Sequence, residues 1–352
     1  NMSISDIEVL DTDDRGRGVF ATHAIGAGTT IVRGIPAACV PKDDRLRTHC
    51  SVCLAPAADR PLCSGCGHVV LCARCAKSDG ARLIHDDECA SLRSLFAVPA
   101  KERPADTCSL RLLLRLLLWR WRCSRPELPQ YVEDEWWGDG DACGDELDDV
   151  MALCEPPEGL ADGGVDCDAA FWDMAAQARY HLPAHARLSR GLAAELMARV
   201  YANGLCLYRE DGGDGGDGGG GGGRGGGGVR REVGWGVSAS VAMFNHRCAP
   251  NADWSIDADG CIVVRSVRPV RRGEELCLCY VDNALPRRER QARLREHFGF
   301  ECQCEVCRAE EEEETVGTAG RASGKHARSE AAAPAPAKRH ASSAPRARKK
   351  TK

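Results

Sequence analysis

Apolar positions recur at helical spacing in residues 108–121, 169–180 and 191–201, and each stretch predicts a helix. The first is apolar almost all round. Its run from Leu110 to Leu118 is broken by Arg111 and Arg115, which predicts a buried helix rather than a membrane span. A fourth helix is expected at 287–297, polar throughout but opened by Pro286. Short runs at 4–10, 19–21, 30–33, 261–267 and 276–281 predict strands. Many short strands with a few helices indicate an α+β fold, not a doubly wound sheet. No apolar run reaches the roughly 18 residues of a membrane span, so no membrane partner is expected.

Composition narrows the class. The chain has 352 residues, 43% hydrophobic and 28% charged, which suits a folded core and excludes collagen, coiled coil and wholesale disorder. Asp6, Glu8, Asp11, Asp13 and Asp14 make the start unlike a signal or transit peptide. The net charge of −5 is split. Residues 321–352 hold ten Lys and Arg against Glu330, leaving 37 basic against 51 acidic residues elsewhere. Lys338-Arg339 and Arg346-Ala347-Arg348-Lys349-Lys350 are spaced like a two-part nuclear import signal, so nucleus and cytoplasm are expected. The same tail could hold nucleic acid nonspecifically. The arginines between Arg265 and Arg295 are read as a solvated surface.

Low-complexity segments mark insertions. Glycine fills 14 of the 18 positions in 211–228, and acidic residues dominate 133–149. An acidic run from Glu310 to Glu314 opens a segment, 309–352, expected to be disordered.

Cysteine changes the picture most, with 21 in the chain. Cys50 and Cys53, Cys63 and Cys66, and Cys72 and Cys75 form CxxC pairs, and His85 and Cys89 follow. Seven Cys and one His within 40 residues match the ligand count of two tetrahedral zinc ions. A segment so short has little core of its own, and metal binding would supply its folding free energy. A disulfide knot fits poorly, because the count is odd and adjacent CxxC pairs strain disulfide geometry.

Further motifs flank this cluster. Upstream stands Arg15-Gly16-Arg17-Gly18, and downstream come Asn203, then Phe244-Asn245-His246-Arg247-Cys248. Gly273-Glu274-Glu275 leads into a strand reaching Tyr280, and Phe298-Gly299-Phe300 precedes Cys302, Cys304 and Cys307.

In this order the motifs resemble the SET domain of protein-lysine methyltransferases, with a MYND zinc finger inserted as in the SMYD family. The resemblance covers roughly residues 5–307. It implies a β-rich SET domain at 5–49 and 90–299, a MYND finger at 50–89 and a post-SET zinc segment at 300–308. It implies an S-adenosylmethionine-dependent protein-lysine N-methyltransferase, a likeness that extends to histone-directed members. Arg15, Gly16, Arg17, Gly18, Asn203, Asn245 and His246 match cofactor-binding positions, Tyr280 the catalytic tyrosine, and Phe298 and Phe300 the substrate channel.

The resemblance also groups the metal ligands. Cys50, Cys53, Cys72 and Cys75 take one zinc, Cys63, Cys66, His85 and Cys89 a second, and Cys248, Cys302, Cys304 and Cys307 a third. Three departures stand out. The third pair is C-x2-C where MYND fingers usually have C-x3-C. Phe298 occupies a position where SMYD enzymes commonly carry tyrosine. No counterpart of the helical C-terminal domain of animal SMYD members is expected in these residues, which look like the shorter forms. A monomer is expected, acting on a protein lysine such as one in a histone tail, with a proline-rich peptide as a second partner at the finger. The competing reading is an inert SET scaffold serving as a MYND adaptor.

Overall fold

A computed structural model describes residues 6–12, 15–104, 107–129, 143–144, 147–156, 161–162, 165–210 and 230–321. The glycine-rich insert, most of the acidic 133–149 segment and the basic tail beyond 321 lie outside these residues. The strands are β1 (Ile7–Thr12), β2 (Gly16–Ala21), β3 (Thr30–Ile35), β4 (Ala38–Pro41), β5 (Cys143–Gly144), β6 (Ala161–Asp162), β7 (Val165–Asp166), β8 (Gly204–Glu210), β9 (Arg230–Val237), β10 (Asn245–His246), β11 (Ala252–Ile256), β12 (Ile262–Ser266) and β13 (Glu275–Leu278). The helices are α1 (Asp79–Ala97), α2 (Cys108–Cys123), α3 (Leu147–Met151), α4 (Cys167–His181), α5 (Arg190–Asn203), α6 (Ala239–Ala242), α7 (Arg287–Phe298) and α8 (Glu305–Arg321).

Small sheets of short strands carry the fold, in the orders β1-β2-β13-β10, β11-β12-β3-β5 and β4-β9-β8, beside the β6–β7 ladder. The first sheet brings distant sequence together. β13 pairs antiparallel with β2, Glu275 opposite Phe20 and Leu276 opposite Val19. On its other edge β13 pairs parallel with β10, Asn245 opposite Cys277 and His246 opposite Leu278. Segments more than 200 residues apart thus become neighbours at one strand spacing, about 4.8 Å. Val19, Ala21, Leu276 and Leu278 point into a shared core with Phe244 and Val264, which fixes the register by burying one face.

Helix α2 is the centre of a second core with α4 and α5. Leu110, Leu112, Leu113, Leu114, Leu116, Leu117 and Leu118 are all essentially inaccessible. Arg111, Arg115 and Arg122 are buried as well, each with a carboxylate: Asp43, Glu88 and Asp87. A helix apolar almost all round therefore accommodates arginines by pairing them, because a buried lone charge is prohibitive.

The cysteine cluster leads directly into α1, a helix the apolar pattern did not predict. Its start is capped by Ser78, whose side chain accepts the Ala81 N–H. His85 and Cys89 sit four residues apart on one face of α1. Glu88 and Asp87 of the same helix pair with Arg115 and Arg122 of α2. The finger also grips the sheets. Arg74 reaches Asp259 in the turn between β11 and β12, and Arg209 of β8 donates to the carbonyls of Cys53 and Leu54. Leu54 is fully buried, with its side chain where a Cβ on Gly234 would intrude to 2.5 Å.

At the C-terminal end the structure departs from the expected disorder after 308, since α8 continues to Arg321. Three acids of the run pair with α7: Arg287 meets Glu311 at 2.9 Å and Glu314 at 3.3 Å, and Arg290 meets Glu310. Arg290 is only 2% exposed, so this part of the arginine-rich stretch is not the solvated surface expected of it.

Candidate active site and metal centres

The metal-ligating side chains fall into the three groups expected. Cys50, Cys53, Cys72 and Cys75 form one, Cys63, Cys66, His85 and Cys89 another, and Cys248, Cys302, Cys304 and Cys307 the last, with the ligand atoms of each group within 4.8 Å of one another. A tetrahedral ion with Zn–S bonds near 2.3 Å spaces its sulfurs about 3.8 Å apart. Cys53 and Cys72 are 3.7 Å apart, Cys63 and Cys89 3.8 Å, and Cys248 lies 4.0 Å from Cys302 and 3.5 Å from Cys307. Donor chemistry and spacing both fit zinc. Shortening the third pair to C-x2-C leaves the grouping intact.

The last group is held by α7. Gln291 makes a two-way pair with Cys302, its amide donating to the carbonyl at 2.7 Å and accepting the N–H at 2.9 Å. Arg290 faces the Cys307 sulfur at 3.8 Å, a cation set beside thiolate ligands.

Tyr280 lies next to this group, just past β13. Its backbone N–H donates to His246 Nδ1 at 3.0 Å, and its hydroxyl donates to the Phe244 carbonyl at 2.6 Å. Burial pushes the phenol well above its ordinary value, and the neighbouring Cys277, Glu275 and Cys154 push the same way. The hydroxyl is thus a protonated donor through the neutral range. Phe298 stacks against Tyr280 with ring centres 4.8 Å apart, and Phe300 stands 6.1 Å from the His246 ring. These rings form an aromatic enclosure around the tyrosine. Tyr201, reaching His297 at 3.3 Å, extends it toward α5.

The Gly-Arg-Gly bend on β2 meets Glu275 at the start of β13 and Asn245 of β10. Gly16 has φ +66°, the left-handed region that glycine enters without strain. Gly18 serves close approach: a Cβ there would stand 2.6 Å from Glu275 Oε1 and 3.0 Å from Asn245 Nδ2. Asn245 donates through Nδ2 to the Arg17 carbonyl at 3.0 Å and to Glu275 Oε1 at 2.9 Å. Arg15 meets the other oxygen, Oε2, at 2.7 Å. Glu275 therefore joins two of the predicted motifs. It escaped the sequence reading because a Gly-Glu-Glu run reads as a polar turn.

Asn203 sits apart from this junction. As the last residue of α5 it donates to the carbonyls of Arg199 at 2.9 Å and Cys154 at 2.7 Å. Those bonds make it a cap that ties α5 to the segment after α3. Its hydrogen bonds join it to neither Tyr280 nor the Asn245–Glu275 junction among the described residues.

The SET domain family matches residues 16–281, and the chain belongs to it. Among curated proteins it is similar to mouse (Mus musculus) histone-lysine N-methyltransferase Smyd1, 24% identical over 319 residues that cover 87% of this chain and 56% of that one. It is also similar to human (Homo sapiens) histone-lysine N-methyltransferase SMYD3, 35% identical over 83 residues covering 24% of this chain and 19% of that one. The histone-lysine N-methyltransferase set5 of Schizosaccharomyces pombe is 42% identical over 72 residues, 20% of this chain and 22% of its own. The chain thus spans little more than half of Smyd1 and a fifth of SMYD3. Among solved structures, the SET domain of LSMT bound to lysine and AdoHcy aligns with a TM-score of 0.40 and 12% identity, covering 86% of this chain and 54% of that one.

Proposed function

We propose that this chain is an S-adenosylmethionine-dependent protein-lysine N-methyltransferase, with histone as the first substrate to test. The observation that carries the reading is the placement of the Gly-Arg-Gly bend on β2 and the Asn-His step on β10 at the two edges of β13, with Tyr280 just past the end of β13 and bonded to His246. Membership of the SET family and the names of the relatives support it.

The donor, when bound, would supply an electrophilic sulfonium methyl group, which a neutral amine attacks in line while the thioether, S-adenosylhomocysteine, leaves. Arg15 to Gly18, Asn245 and His246 are the residues to hold it. A substrate lysine must first lose a proton, which costs about 4–5 kcal/mol at pH 7 for a pKa near 10.4. Phe298, Phe300 and Tyr280 form apolar walls that disfavour the ammonium and lower that cost. Tyr280 stays protonated and orients the amine rather than removing its proton. Fixing two reactants in place is worth up to roughly 7–11 kcal/mol, so alignment is the protein's main contribution.

Phe298 supplies an apolar ring without a hydroxyl beside Tyr280, which bears on how many methyl groups one lysine receives. Lys338-Arg339 and Arg346 to Lys350 support a nuclear and cytoplasmic location. The test is methylation of a histone and peptide array with mass readout. Methylated lysine with the wild type and none with Tyr280→Phe supports the reading. Binding of proline-rich peptide with no transfer to any substrate would favour the adaptor instead.

A further inference from the structure

We propose that Glu275 is a positioning residue that sets the amide of Asn245 so that its oxygen, not its nitrogen, faces the cofactor site and accepts the α-ammonium of the donor's amino-acid end. The inference rests on the methyltransferase reading. It assigns a role to a residue that makes no contact with the reacting atoms itself.

A side-chain amide has two ends of opposite character, and rotating it by half a turn exchanges donor for acceptor. Asn245 is held against such rotation by two acceptors on one side, the Arg17 carbonyl and Glu275 Oε1. An ionised carboxylate has only acceptors to offer, so Nδ2 must face it. Both Nδ2 protons are then engaged, and Oδ1 takes no hydrogen bond among the described residues. That oxygen is left as an acceptor for a cationic N–H donor.

Glu275 is in turn fixed on every side. It is 9% exposed, at the first position of β13 opposite Phe20. Arg15 holds Oε2 at 2.7 Å, which leaves Oε1 for the amide. Gly18 keeps the space open, since a methyl group there would collide with both partners. Below, buried Asn251 accepts the Cys277 N–H at 2.8 Å and donates to the Glu275 carbonyl at 2.8 Å, which fixes the strand from which the carboxylate projects.

The test uses the full zinc-bearing chain and two probes, S-adenosylhomocysteine and its analogue lacking the α-amino group, with binding measured by calorimetry. The wild type should prefer the amine-bearing probe by about tenfold or more, the range of a charge-assisted hydrogen bond. In Glu275→Ala that preference should shrink to about threefold or less, with zinc content unchanged. Glu275→Gln keeps the shape but can turn either end toward Asn245, and should fall between the two; it decides the matter if the alanine variant does not fold. A folded variant that discriminates as well as the wild type overturns the inference and leaves the methyltransferase reading standing. So does a wild type that binds both probes equally. A wild type that binds neither probe removes the methyltransferase reading itself.

Discussion

His246 accepts the Tyr280 backbone N–H at Nδ1, 3.0 Å away, while its Nε2 lies 3.5 Å from Cys248 Sγ. The first bond makes Nδ1 the acceptor, so the ring proton of the neutral imidazole belongs on Nε2, directed at the sulfur. One ring thus ties a member of the third cysteine group to the backbone of Tyr280.

His246→Ala should therefore displace Tyr280 more than it weakens the fold. A misplacement of about 1 Å costs on the order of 100-fold in rate. Steady-state assays should show kcat falling by roughly that factor, with a far smaller change in melting temperature. A variant with normal kcat would show that the histidine does not position the tyrosine.

Metal should be inseparable from the whole fold. Elemental analysis is expected to give about three zinc ions per chain, one per ligand group. The finger is bound to the sheets through Arg74–Asp259, Arg209 and the buried Leu54, so chelation should melt both parts together. A calorimetric trace in which only a minor transition disappears on chelation would contradict this.

Buried charge pairs make a similar claim about α1 and α2. Glu88 and Arg115 are both nearly inaccessible, and Arg115 also donates to the Cys39 carbonyl. Removing one partner strands the other, so Glu88→Ala should cost about 3–5 kcal/mol by denaturant unfolding. A loss below about 1 kcal/mol would mean that the pair is solvated in solution.

Much of this architecture was legible in the chain, for identifiable reasons. Zinc ligands are local in sequence, and CxxC spacing constrains them whatever the fold around them. Helix α2 announced itself through its leucines, and α4, α5 and α7 lay within a few residues of their expected ends. The apolar pattern does not show strands β4, β8, β9 and β11, the two-residue β5, β6, β7 and β10, or helix α1, which buries His85 and Glu88 where an apolar stripe would lie. Glu275 was illegible for another reason. Its role exists only because β13 lies between β2 and β10, a pairing across more than 200 residues that no local pattern encodes. Helix α8 likewise depends on the arginines of α7, which turn an acidic run from self-repelling to paired.

Glu274 supplies a pH test. Burial raises its pKa, but Arg268, the Arg271 N–H and Asn251 outweigh that and hold it at about 2, below the ordinary 4.5. A depressed carboxyl pKa stabilises the fold above the unfolded value and stops doing so as pH falls through the folded one. Glu274→Gln should thus lower stability by about 2 kcal/mol after allowance for solvent screening. That deficit should stay constant from pH 7.5 to pH 5 and narrow only below about 4.5. A gap that closes between pH 7 and pH 5.5 would show that a different group is titrating.

The proposed donor site draws on β2, β10 and the segment after β13, beside Tyr280. Titration calorimetry of S-adenosylhomocysteine against the zinc-replete chain tests it most directly. Saturable one-to-one binding is expected, weakened about tenfold or more by Asn245→Ala and little changed by Tyr280→Phe, whose phenol serves the amine rather than the donor. A folded, zinc-bearing wild type that takes up no heat with this ligand at millimolar concentration would contradict it.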